Sequence, residues 1–222
     1  MDVVIPMQLN SNFTLLYPVQ VDWEKFTAYR PDIPFSDEVI EFLNILSGGI
    51  LKDRNSRLYP DVITFAFFCR KANLQKLKGE YVHEELRLGR GVLFHIAPSN
   101  VPINFGYSLV AGLLSGNINI VRVSSKQFPQ VDLIIKHLHE ILKSELYDEV
   151  ANRIVLVRYD RTSDANAYFS SIANVRVIWG GDTTIATIRQ SALPARSFDV
   201  CFADRYSIAA INPTAIILLA VL

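Results

Sequence analysis

The chain has 222 residues, 50% hydrophobic and 20% charged, enough to bury the core of one α/β domain or a little more without disulfides. Lysine plus arginine and aspartate plus glutamate both number 22, so the formal net charge is zero and offers no electrostatic case for DNA, RNA or an anionic membrane as partner. The two cysteines, Cys69 and Cys201, both in apolar stretches, are no disulfide framework and make a reducing cytoplasm the expected location. No signal-peptide pattern opens the chain, and no apolar run reaches the roughly 20 residues of a transmembrane helix.

Residues 1–88 read as a mainly helical region. Ser36-Asp37-Glu38 supplies a helix cap and early acidic charge, and Gly48-Gly49 is expected to end that helix. A second helix is expected from Pro60-Asp61 to Lys78-Gly79, with Val62, Phe65, Ala66 and Cys69 on one face. From Gly89 onward, short apolar strands at 91–97, 118–123, 153–158, 175–179 and 198–202 alternate with amphipathic helices at 102–115, 129–144, 163–172 and 182–191. That alternation predicts an α/β fold: a Rossmann-like parallel sheet covered by helices on both faces. The expected organisation is 1–88 packed on a cofactor-binding domain at 89–211, with 212–222 opening a further, truncated segment.

The most informative stretch runs from His95 to Ser125. An apolar strand leads into the polar turn Pro98-Ser99-Asn100-Val101-Pro102, then a helix ending at Gly116-Asn117, then a second strand. A strand–turn–helix–strand unit of this length is a parallel crossover, and ligands sit at the carboxyl ends of its strands. The two prolines fix the backbone around Asn100, so its amide is expected to be held in place. An oriented amide donor at a strand end is what a reaction passing through an oxyanion needs. The usual nucleotide fingerprints are absent: there is no G-x-G-x-x-G and no G-x-x-x-x-G-K-[ST], and Gly89-Arg90-Gly91 precedes a strand instead of following one.

These residues resemble the aldehyde dehydrogenase superfamily, and the wording H-I-A-P-S-N-V-P with G-N-I-N-I-V-R-V-S-S is similar to its acyl-CoA reductase branch, which includes the fatty acid reductase of the bacterial luciferase operon. Val177-Ile178-Trp179-Gly180-Gly181-Asp182-Thr183-Thr184-Ile185 and Asp204-Arg205-Tyr206-Ser207 extend the resemblance, which is firm from 89 to 211. It implies NADPH-dependent reduction of a fatty acyl-CoA or acyl-carrier thioester to an aldehyde through a cysteine acyl-enzyme. Asn100 would be the oxyanion donor. The backbone of Ile96, Ala97, Pro98 and Ser99 would line the cofactor cleft, and Gly181, Asp182 and Thr183 would open the helix at the pyrophosphate. Arg122 and Ser125 stand where relatives hold the adenosine ribose with a lysine and often a glutamate. A guanidinium without that carboxylate favours the phosphorylated cofactor. The resemblance also implies that the nucleophile lies on a catalytic domain this chain lacks, so the chain is expected to be inactive alone. The partner is expected to be a thioester, with a homo-oligomer or an acyl-supplying subunit left open. A non-catalytic nucleotide- or partner-binding module of the same fold stays open as the alternative.

Several residues have plainer readings. Asp182, whose charge would repel a pyrophosphate, reads as a helix cap. Arg122 has the alternative of a solvated strand-end charge. His95 reads as a satisfied core histidine, and Trp179 as core or cleft wall. His137 and His139 are two apart on a helix and cannot share a metal; no metal is expected. Lys71, Lys76 and Lys78 form a solvated helix face. Cys69 and Cys201 read as packed thiols.

Overall fold

The computed structural model describes residues 13–81, 85–160 and 163–203. The motif at Asp204–Ser207 and the segment 212–222 lie outside the described residues. Six strands form one sheet: β1 (Thr14–Tyr17), β2 (Val92–Ile96), β3 (Ile118–Arg122), β4 (Ile154–Arg158), β5 (Val175–Trp179) and β6 (Phe198–Phe202). Their order is β1-β4-β3-β2-β5-β6. The five strands from β2 to β6 are parallel and fall within a residue or two of the segments read from the sequence. β1 is the correction: it pairs antiparallel with β4, so the sheet is mixed.

Helices α5 (Asn104–Leu114), α6 (Pro129–Ile141), α8 (Ala165–Ser171) and α9 (Asp182–Ile188) make the four crossovers, and the short α7 (Asp148–Ala151) precedes β4. Side chains alternate across the strands. Val121, Val123, Ile154 and Leu156 pack on one face with α2 (Asp37–Lys52), α5 and α6. Phe94, Ile96, Ile118, Ile120, Val155 and Val157 pack on the other with Phe26 of α1 (Trp23–Ala28), Phe169 of α8 and Ile185 and Ile188 of α9. Each fully buried Leu, Ile, Val or Phe side chain contributes roughly 1.5–3 kcal/mol of transfer free energy. The chain runs from β2 to β3 and β4 on one side, then returns to β5 and β6 on the other. The strand order therefore reverses between β2 and β5.

Two helix expectations are corrected. α2 does not stop at Gly48-Gly49 but continues to Lys52. A Cβ at Gly49 would lie 3.3 Å from His137 Nδ1, so the glycine admits α6 close against α2. Ser36 stands at the N-cap position, but its hydroxyl makes no capping bond. The long helix from Pro60 divides into α3 (Pro60–Phe68) and α4 (Lys71–Tyr81). Asn44 on α2 accepts the Lys71 N–H at 3.0 Å, and Asn73 donates to the Phe68 carbonyl at 2.8 Å, so the break is bonded from both sides. Val62, Phe65, Ala66 and Cys69 are buried together as expected. Lys71 and Lys78 pair with Glu41 and Asp37 of α2, each at 2.8 Å, and Lys76 lies 3.9 Å from Glu80.

Gly116-Asn117 is structural. Gly116 ends α5 with φ +75°, and Asn117 Oδ1 accepts from the Arg90 and Gly91 N–H groups at 2.6 and 3.3 Å. The pair ties β3 to the start of β2, at the end of the sheet away from the Pro98–Pro102 turn. Among the described residues no helix is long and apolar enough to cross a membrane, and no group of three or more His, Cys, Asp or Glu could hold a metal. His137 turns to Asp53 (3.1 Å) and His139 to the Leu16 carbonyl (2.8 Å), so the two do diverge.

Candidate functional site

A cleft of about 860 Å³ opens at the carboxyl ends of the strands, where β2 and β5 part. Open α/β sheets bind ligands at this reversal because the loops after the two strands run to opposite faces and leave a crevice between them. Of the residues read from the sequence, Ile96, Ala97, Pro98, Ser99, Asn100, Arg122, Gly181 and Thr183 line it. Ser125 and Asp182 do not.

Ser125 donates its hydroxyl at 3.0 Å to the Tyr159 carbonyl, the oxygen Arg122 also binds. Asp182 is corrected in one reading: it opens α9 as expected but does not cap it. It is exposed and stands as the first residue of α9, while Gly181 holds the N-cap position and no side chain makes a capping bond there. Its charge complements the helix dipole without touching the cleft. Asn100 lies exposed on the cleft rim, and among the described residues its amide makes no hydrogen bond. The prolines shape the turn but do not lock the side chain.

Arg122, at the end of β3, is half-buried. Its guanidinium lies 4.8 Å from the centre of the Tyr159 ring and donates through Nη2 to the Tyr159 carbonyl at 3.2 Å. Its Nε is buried with no partner, and no described carboxylate pairs with it. Burial raises the Tyr159 phenol, and the nearby guanidinium lowers it by less, so the phenol stays protonated. The phenol donates to Asn166 Oδ1 at 2.6 Å.

Several cleft residues escaped the sequence reading. Phe202 at the end of β6 stacks on Trp179, centroids 3.9 Å apart and planes 9° from parallel, and both rings line the cleft. Asn104 also lines it, with a buried, unpaired Oδ1. Cys201, read as a packed thiol, is half-buried against the core but also lines the cleft, with Arg189 Nη2 3.5 Å from its sulfur. Cys69, by contrast, is fully buried, and desolvation pushes its thiol up to about 12. The reason for these misses is shared. Side chains at the ends of different strands and at the start of a helix meet only once the sheet is assembled, and no local pattern encodes that assembly. His95 is the satisfied core histidine expected, with Nδ1 2.8 Å from Ser108 Oγ and Nε2 3.0 Å from Asn119 Oδ1.

Solved structures with this fold include aldehyde dehydrogenases. Glyceraldehyde-3-phosphate dehydrogenase GapN from Methanocaldococcus jannaschii, complexed with NADP, is 16% identical and matches 81% of this chain and 44% of its own with a TM-score of 0.56. Lactaldehyde dehydrogenase from Escherichia coli is 14% identical over 75% of this chain and 39% of its own, TM-score 0.54. Betaine aldehyde dehydrogenase from Staphylococcus aureus, in complex with NAD+, is 15% identical over 76% and 37%, TM-score 0.54. The chain therefore spans less than half the length of these structures. No curated protein matches. The family model for acyl-CoA reductase (LuxC) matches residues 68–221, more than half of the chain. With the mixed α/β fold and the cleft at its strand reversal, the chain belongs to the LuxC acyl-CoA reductase family.

Proposed function

We propose that the cleft binds NADPH, and that the chain supplies the cofactor-binding part of an enzyme reducing a fatty acyl thioester to an aldehyde. The observation that carries the cofactor assignment is Arg122: a cleft-lining guanidinium whose Nε is buried and unpaired, with no described carboxylate beside it. An orphaned charged donor in a cleft wall fits a ligand anion, and a ribose 2′-phosphate is the anion that separates NADPH from NADH. The backbone of Ile96–Ser99, with Gly181 and Thr183 opposite, would hold the rest of the dinucleotide. Asp182 and Ser125 are left out of the set. Bound there, the nicotinamide supplies hydride.

Asn100, exposed and unbonded at the rim, is free to donate its amide to the oxygen of the thioester carbonyl when a thiolate adds to it. That thiolate is assigned to the family's catalytic domain. Cys69 is too deeply buried and too weakly acidic to serve. The chain by itself is thus proposed to bind cofactor without reducing thioesters.

Titration calorimetry tests the reading. NADPH should bind the wild-type chain roughly tenfold to a hundredfold more tightly than NADH, and Arg122→Ala should abolish the difference. Equal affinities, unchanged by the substitution, would sink the assignment. Aldehyde formed from a long-chain acyl-CoA and NADPH by the chain alone, lost in Cys201→Ser, would make Cys201 the nucleophile instead.

A further inference from the structure

The indole of Trp179 is held from behind. Its Nε1–H donates to Ser108 Oγ at 3.2 Å, and Ser108 is buried on α5. The same oxygen lies 2.8 Å from His95 Nδ1, and His95 Nε2 lies 3.0 Å from Asn119 Oδ1. Proton directions follow from Asn119. Its amide nitrogen donates to the Asn117 and Arg153 carbonyls, at 2.8 and 3.4 Å, so Oδ1 faces His95 as an acceptor. His95 therefore carries its proton on Nε2 and accepts the Ser108 O–H at Nδ1. The Ser108 oxygen then has a lone pair left for the indole N–H. Burial lowers His95 to about 4, outweighing the Asn119 bond that raises it, so the ring is neutral at pH 7 and the directions are stable. The donors run one way, from Trp179 through Ser108 and His95 to Asn119, with every link satisfied.

At the cleft end of this chain stands the parallel Trp179–Phe202 pair, and Phe202 is 45% exposed. Arg122 sits on β3, and the pair on β5 and β6, on the far side of β2. A ligand whose phosphorylated ribose meets Arg122 presents its other half to the aromatic pair. A flat aromatic wall favours a planar ring by stacking, and a wall already fixed loses no rotamer freedom on binding.

We propose that Ser108, backed by His95 and Asn119, is a positioning residue that fixes the Trp179 indole, so that the Trp179–Phe202 pair forms a rigid wall for the planar nicotinamide ring. This rests on the cofactor reading above. Neither Ser108 nor His95 touches the ligand; both act through Trp179.

The test compares NADPH with 2′,5′-ADP, which keeps the adenosine end and 2′-phosphate but has no nicotinamide. Calorimetry is run on the wild-type chain, Ser108→Ala, Trp179→Phe and the double variant. Ser108→Ala should weaken NADPH roughly threefold to tenfold and leave 2′,5′-ADP unchanged. Adding Ser108→Ala to Trp179→Phe should cost nothing further, because no indole N–H remains to be held. By NMR, with Trp179→Phe assigning the signals, exchange of the Trp179 indole N–H should accelerate in Ser108→Ala while that of Trp23 does not. Unaltered NADPH affinity in Ser108→Ala, equal losses for the two ligands, or additive losses in the double variant would overturn the proposal. Should Ser108→Ala not fold, Trp179→Phe still decides: it must weaken NADPH and spare 2′,5′-ADP. A wild-type chain that binds neither NADPH nor 2′,5′-ADP overturns the cofactor reading instead. In that case unchanged indole exchange in Ser108→Ala would also overturn the hold on Trp179.

Discussion

Arg176 and Asp199 face each other in register across β5 and β6, Nε to Oδ1 at 2.8 Å and Nη2 to Oδ2 at 3.2 Å, with Arg176 only 1% exposed. The remaining guanidinium nitrogen donates to Ser170 Oγ and to the Ile188 and Ser191 carbonyls at 2.9–3.0 Å. Burial pushes the Asp199 carboxyl up, but Arg176 and Arg189 together outweigh it and hold the group below its usual range. One guanidinium thus joins β5 and β6 to the ends of α8 and α9, the elements that carry one wall of the cleft.

Breaking that junction is expected to be expensive. Arg176→Met leaves the carboxylate with one partner and strands three acceptors, and should cost about 3–5 kcal/mol, read as a lower urea midpoint. A loss below about 1 kcal/mol would show that the network contributes little beyond its packing.

Stability should fall with pH in a window set by His95. Its folded pKa of about 4 lies below the ordinary 6.5, so between those values the unfolded chain binds more protons. Falling pH through that window therefore favours unfolding, by on the order of 3 kcal/mol in total. Below about 4 the term is constant, because both states are protonated. Denaturant unfolding from pH 7 to 4 should show this slope, and a His95→Gln variant should flatten it.

Gly112 on α5 makes room for the same buried group. A Cβ there would overlap the Asn119 amide oxygen and lie 2.9 Å from His95 Nε2. Gly112→Ala should destabilise by about 1–3 kcal/mol despite alanine's better helix propensity. A neutral or stabilising result in thermal unfolding would mean that the Asn119–His95 pair shifts without cost.

The two thiols should separate cleanly under alkylation. Iodoacetamide should label Cys201, half-buried in the cleft, and leave fully buried Cys69 untouched in the folded chain. Intact-mass spectrometry should find one adduct per chain, mapped to Cys201 and slowed by NADPH. Labelling of Cys69 at a similar rate would contradict its burial.

Asn100 is best tested in a form that includes the family's catalytic domain. There Asn100→Ala should lower turnover roughly 10²–10³-fold, the usual loss for one oxyanion donor, with cofactor affinity near normal. Intact turnover would reduce Asn100 to a turn-forming residue.

The amino-acid sequence by itself determined the crossover rhythm from Gly89 onward, the five parallel strands and the Asn100 turn. Those features follow from local period, length and turn chemistry, which the chain carries wherever it folds. It did not reveal β1, four residues whose strand character depends on the edge of β4 being there to pair with. Nor did it reveal the run of α2 through Gly48-Gly49, which packing against α6 sustains, or the break after Phe68, which Asn44 of another helix bonds. Only the tertiary structure brought Cys201, Phe202 and Asn104 to the cleft beside Arg122 and Trp179, and left Ser125 and Asp182 out of its lining. The physical reason is that a strand's neighbours are chosen by sheet order and register, so which side chains share a strand-end crevice is a property of the assembled sheet and not of any one segment.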